Sequence, residues 1–138
     1  MSTRINVPYF AAPFDSDSRE EAIDLARDAK ERIKFDTLAV TGVSGVVMGG
    51  LIAHALDVNL LIIRKPGDRT HSTCLVEGHL GARWAFLDDF VELGATRKRV
   101  RATVRRLASY RDITTTFVGS VLYESHELHN GNNRLIDY

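Results

Sequence analysis

Residues 84–96 read Trp-Ala-Phe-Leu-Asp-Asp-Phe-Val-Glu-Leu-Gly-Ala-Thr, and no other stretch of the chain restricts its fold as tightly. Four apolar residues suit a buried strand, whose end then presents Asp88 and Asp89 at the carboxyl edge of a sheet. Open α/β sheets bind their ligands at that edge. Gly94-Ala95-Thr96 follows as a small-residue turn into a helix. Such a turn lets backbone N–H groups approach an anion closely, with a hydroxyl aimed the same way. Two carboxylates beside a phosphate repel a second anion, so their partners are sugar hydroxyls or a divalent cation held jointly with the ligand. A ribose phosphate satisfies both halves of the segment.

The rest of the chain alternates strand and helix patterns. Ser18-Arg19-Glu20-Glu21 forms a capping box, and Ala22, Ile23, Ala26, Ala29 and Ile33 recur at helical spacing up to about Lys34. Residues 37–40 predict a short strand. Residues 44–56 predict a helix with Met48, Leu51, Ile52 and Leu56 inward, and residues 59–63 a second strand. Residues 65–82 are polar and carry Pro66, Gly67, Gly78 and Gly81, which predicts a loop. The strand at 84–88 feeds a helix from about Thr96 to Ser109 with Val100, Val104, Leu107 and Ala108 in one stripe. Residues 113–123 predict the last core strand, before a polar tail with a turn at Asn130-Gly131. At 138 residues and 44% hydrophobic content, the chain reads as one α/β domain over 1–138, an open, mostly parallel sheet flanked by helices.

Composition removes several function classes. Eighteen basic and eighteen acidic residues balance, so no global charge argues for nucleic acid or an anionic membrane, and neither is expected as a partner. The lone Cys74 rules out an intramolecular disulfide or a multi-cysteine metal site, and no apolar run reaches the roughly 18 residues of a membrane span. A reducing, cytoplasmic setting is expected, and the amino terminus, without a basic-then-apolar signal pattern, reads as mature sequence. Arg97, Lys98, Arg99, Arg101, Arg105 and Arg106 invite a nucleic-acid reading, but a solvated helix face is the commoner explanation. His126-Glu127-Leu128-His129 lacks the spacing of a zinc-binding helix, and His54 reads as a packed or edge histidine.

With these residues in view, the chain resembles the type I phosphoribosyltransferases, whose ligand motif is an apolar strand, two acidic residues, a short linker and a Thr-Gly-Gly-Thr-like turn. Asp88-Asp89-Phe90-Val91-Glu92-Leu93-Gly94-Ala95-Thr96 follows that order. Upstream, residues 36–40 lead into Thr41-Gly42-Val43-Ser44-Gly45, and Arg64-Lys65-Pro66-Gly67 follows the next strand, as in adenine phosphoribosyltransferases. Leu93 stands where the family usually has Thr, and Ala95 where it usually has a second Gly. Glu92 leans toward the 6-oxopurine enzymes and residues 64–67 toward the adenine enzymes, so a purine is expected, its identity open.

The resemblance implies transfer of ribose 5-phosphate from 5-phosphoribosyl 1-diphosphate to a nucleobase, with release of diphosphate and dependence on Mg2+. It assigns catalysis to Glu92, Asp88 and Asp89, with Glu92 as proton acceptor near the base. It places the ribose 5-phosphate on Asp88, Asp89, Leu93, Gly94, Ala95 and Thr96. Diphosphate falls to Val43, Ser44, Gly45, Arg64 and Lys65, and the metal to Asp88 and Asp89, mostly through ligand and water. It further implies a flexible loop at about 65–82 and a homodimer. Phe117, Tyr123, Tyr9 and Phe10 are candidates for a base slot. Leu93 and the short chain keep open a catalytically silent relative that binds a ribose phosphate as sensor or regulator. A phosphoacceptor domain fits less well, because its acidic pair follows the first strand rather than the third.

Overall fold

The computed structural model describes residues 16–65, 76–88, 95–122 and 135–136. Helix α1 (Ser16–Ile33) is followed by β1 (Thr37–Thr41), α2 (Gly42–Leu56), β2 (Asn59–Ile63), β3 (Val76–Gly78), β4 (Arg83–Asp88), α3 (Ala95–Arg111), β5 (Thr116–Leu122) and β6 (Leu135–Ile136). One sheet of order β3-β2-β1-β4-β5-β6 contains all six strands. The β2-β1-β4-β5 centre is parallel and the two edge strands are antiparallel. This is the expected α/β architecture of an open, mostly parallel sheet flanked by helices.

The strand order explains the layers. The chain leaves β1 through α2 toward one edge and leaves β4 through α3 toward the other. Crossovers of the same hand running in opposite directions place their helices on opposite faces. The core divides accordingly. Ala22, Ala26 and Ala29 of α1 and Met48, Ile52 and Leu56 of α2 pack on Leu38, Val40, Ala85 and Leu87. Val100 and Val104 of α3 pack on Ala39, Leu61, Ile63, Trp84 and Phe86. The two-residue alternation of each central strand feeds both cores, as a sheet covered on both faces requires.

Four expectations need correction. Helix α2 begins at Gly42, not Ser44, so Val43 and Ser44 belong to its first turn. Leu51 lies on the outer side of α2 and is exposed, because the inward stripe runs through Met48, Gly49, Ile52, Ala53 and Leu56. Within the expected loop at 65–82, residues 76–78 form β3, pairing Val76 with Ile63 and Gly78 with Leu61; residues 66–75 lie outside the described residues. The strand expected at 113–123 begins only at Thr116 and is not the last, since β6 pairs with it through Ser120↔Ile136 and Val121↔Leu135.

At the amino edge of the sheet Asp36 acts as a clip. Its carboxylate accepts hydrogen bonds from the Ala82 and Arg83 backbone N–H groups at 2.9 and 3.2 Å and from the Thr37 hydroxyl at 2.7 Å. Thr37 Oγ1 in turn accepts from Gly81 N–H at 2.9 Å. Arg83 donates to the Ile33 and Lys34 carbonyls, satisfying the carboxyl end of α1. Hydrogen bonds to a charged acceptor are the stronger kind, so Asp36→Ala is expected to lower stability by about 2 kcal/mol in urea unfolding, and Asp36→Asn by less.

Candidate functional site

The sheet reverses its winding between β1 and β4, which leaves a crevice at their carboxyl ends between the starts of α2 and α3. Thr37 lies beside Trp84 and Ala39 beside Phe86 in the parallel pair. Continuing that register brings Thr41, the last residue of β1, level with Asp88, the last residue of β4. Both are half-buried. The two motifs read from the sequence, 47 residues apart along the chain (88 − 41), therefore open onto one crevice.

On the α2 side, Thr41 occupies the helix N-cap with extended backbone, and its side chain makes no capping hydrogen bond. The first N–H groups of a helix have no intrahelical partner, and no acidic residue occupies this first turn. Gly42 has φ 76°, a left-handed value that glycine adopts without penalty. Lys65 crosses above it, so close that a methyl group on Gly42 would touch Lys65 Cε and Nζ at 3.6 Å. Of the residues assigned to diphosphate, Lys65 thus stands over the start of α2, Val43 is exposed, Ser44 is half-buried, and Gly45 is buried against Val40. Arg64 has an intramolecular partner: its Nη2 donates to Glu77 Oε1 of β3 at 2.8 Å, an ion pair on the far side of β2 from β1.

On the α3 side, Ala95 and Thr96 are exposed at the first two positions of the helix. Arg99, one turn further, donates from Nη2 to Thr41 Oγ1 at 3.4 Å, bridging the crevice. Nothing in the sequence signals that acceptor, 58 positions away. Burial first, then the neighbouring charge of Arg101, lowers the pKa of the Arg97 guanidinium from its ordinary value. Asp89, Glu92, Leu93 and Gly94 lie outside the described residues. Phe117 belongs elsewhere: it packs against Trp84 with ring centroids 4.7 Å apart, and Arg101 stacks over it at 4.4 Å. Both rings lie toward the amino ends of their strands, away from the crevice. Tyr9, Phe10 and Tyr123, the other base-slot candidates, lie outside the described residues, as do His126 and His129. His54 is exposed near the end of α2. No group of three or more His, Cys, Asp or Glu able to hold a metal occurs among the described residues, and no helix there is long and apolar enough to cross a membrane.

The fold, as distinct from the side chains of the site, is found in solved structures. The adenine phosphoribosyltransferase of Rhodothermus marinus superposes with a TM-score of 0.62 over 80% of this chain at 20% identity. The chain has the type I phosphoribosyltransferase-like fold. Orotate phosphoribosyltransferases share it: that of Aeropyrum pernix gives a TM-score of 0.61 over 86% of this chain at 15% identity. That of Mycobacterium tuberculosis, solved in complex with 5-phospho-alpha-D-ribosyl 1-diphosphate, gives 0.55 over 85% at 15% identity. This chain spans 69%, 64% and 65% of those three proteins, in that order, and 22% of a longer matched chain. No protein-family model and no curated protein matches the sequence.

Proposed function

We propose that the chain is a phosphoribosyltransferase that moves ribose 5-phosphate from 5-phosphoribosyl 1-diphosphate to a purine base and releases diphosphate. The supporting observation is the reversal of winding between β1 and β4, which brings the uncapped start of α2, with Lys65 beside Gly42, to the same sheet edge as Asp88 at the end of β4 and the start of α3. Cations and free N–H groups suit diphosphate and phosphate; a carboxylate between them suits ribose hydroxyls.

In this reading Lys65 and the Gly42, Val43 and Ser44 backbone hold diphosphate, with Gly45 setting the helix against β1. Arg64 is a reserve cation that has to leave Glu77 to contribute. Asp88, with Asp89, orients the ribose, and the turn from Leu93 to Thr96 holds the 5-phosphate. Glu92 accepts a proton near the base. These groups act by orienting the reactants and stabilising charge as diphosphate departs, without a covalent intermediate. Asp88, at the end of β4, suits Mg2+ of the kind bound mainly by ligand oxygens and water, and such an ion, when bound, would neutralise the leaving diphosphate.

Helix α2 contains no Asp, Glu, Lys or Arg, yet Val43 is 69% exposed and Leu51 lies on the same outer side. An uncharged helix face of this kind supports a homodimer across α2, next to the crevice. Leu51→Glu is expected to convert a dimer to monomer in sedimentation velocity.

The deciding assay is diphosphate release with Mg2+ and 5-phosphoribosyl 1-diphosphate across purine and pyrimidine bases, beside calorimetric binding of the sugar diphosphate. Release that requires one purine confirms the proposal, and release that requires a pyrimidine corrects the base. Tight binding without release under any base establishes instead a catalytically silent ribose-phosphate sensor, the reading that the Arg64–Glu77 pair favours.

A further inference from the structure

Helices α1 and α3 treat their charges differently. Along α1 the signs alternate and pair on the surface: Arg27 with Asp24, Arg32 with Asp28, and Lys34, just past its end, with Glu31. That is how an ordinary solvated helix face is built. In α3 every charged residue is Lys or Arg, including Arg97, Lys98 and Arg99 in or next to the first turn, where the helix dipole disfavours cations. Arg97, Arg101 and Arg105 follow one another at i, i+4, a spacing at which like charges repel. Among the described residues, Lys98, Arg105 and Arg106 form no ion pair, and all three are exposed. The candidate phosphate site at the start of α3 accounts for cations near Thr96 but not for Arg105 and Arg106, more than 10 Å further along at roughly 1.5 Å per residue. Beyond them Tyr110 is 86% exposed, the most exposed large hydrophobic side chain among the described residues.

We propose that the outer face of α3 binds single-stranded nucleic acid, with Lys98, Arg105 and Arg106 on successive phosphates and Tyr110 stacking on a base. Spaced cations beside an exposed aromatic ring are the elements of sequence-tolerant single-strand binding. Unpaired cations of one sign on an otherwise balanced chain are a local field, which net charge does not reveal. A membrane is the poorer fit, because Val100, Val104 and Ala108, the apolar stripe of α3, are buried against the sheet and leave no face to insert. The surface is independent of the transferase reading, since Arg105, Arg106 and Tyr110 lie outside the crevice.

The test is fluorescence anisotropy of the full chain with labelled 20-nucleotide single-stranded RNA and DNA, the corresponding duplex, and phosphatidylserine vesicles, from 50 to 200 mM salt. Single strands are expected to bind with a steep inverse salt dependence. Joint replacement Arg105→Gln and Arg106→Gln is expected to weaken binding at least about tenfold at 50 mM salt and to flatten the log–log salt slope by about 1.4, the share of two phosphate contacts on a single strand. Tyr110→Ala is expected to weaken binding about fivefold or more with the slope unchanged. Arg105→Lys with Arg106→Lys keeps the charge and is expected to retain binding, and thermal melting by circular dichroism verifies that each variant is folded. Absence of binding at 50 mM salt overturns the proposal, as does binding indifferent to these substitutions, or duplex or vesicles bound as tightly as single strands.

Discussion

Joint replacement of Asp88 and Asp89 by Asn is expected to weaken binding of 5-phosphoribosyl 1-diphosphate by at least about 100-fold, read by calorimetry, with the fold retained. Asp88 closes β4 at the crevice, half-buried and level with Thr41. A carboxylate there accepts hydrogen bonds from ribose hydroxyls, and bonds to a charged acceptor contribute roughly 1.5–3 kcal/mol each. An amide of the same shape keeps one acceptor oxygen, loses the charge and turns a donor toward the sugar hydroxyls. The loss is the same whether the protein is a transferase or a silent binder, so the variant tests the site rather than the chemistry. Retained affinity with the fold intact removes Asp88 and Asp89 from the ligand site.

The second large effect concerns the helix that carries the diphosphate side of the crevice. Gly49→Val is expected to destabilise the protein by about 3 kcal/mol, the upper range for overpacking a core. A Cβ on Gly49 meets Val40 Cγ1 at 2.5 Å, Leu60 Cδ1 at 3.2 Å and Leu87 Cδ2 at 3.5 Å, so α2 lies on the sheet at a distance only hydrogen permits. Val40 is a β-branched core residue one position before Thr41, and moving it displaces the end of β1. The adjacent Gly50 has nothing within 4 Å of its own Cβ position. Gly50→Ala is therefore expected to be neutral or to stabilise by up to about 1 kcal/mol through helix propensity. Urea unfolding of both variants checks the contrast; equal destabilisation would mean that α2 does not pack on β1 through Gly49.

Much of the architecture was legible because its signals are local. The spacing of Ala22, Ala26 and Ala29, or of Val100, Val104 and Ala108, is a property of a few turns of chain, and those residues are buried. Strand β3 escaped notice because Val76-Glu77-Gly78 carries almost no pattern; its order comes from the ladder with residues 61–63 and the ion pair between Glu77 and Arg64. The same pair gave Arg64 a partner that a strand-end cation does not advertise. Asp36 was read only as the residue before a strand, since its backbone partners Ala82 and Arg83 are 46 and 47 positions away. Nothing in the sequence separates Gly49 from Gly50 except which side of α2 faces the sheet.

The sequence by itself determined the kinds of groups that end each central strand: Thr41 closing β1 with Gly42 after it, Lys65 beyond β2, Asp88 closing β4. Chain order and residue chemistry suffice for that, because strand ends and helix starts are set by short-range pattern. Only the tertiary structure decided that these ends share one crevice, with Lys65 above Gly42 and Arg99 reaching Thr41. That convergence rests on β1 lying between β2 and β4, an adjacency fixed by burying both faces of one sheet beneath helices that cross in opposite directions.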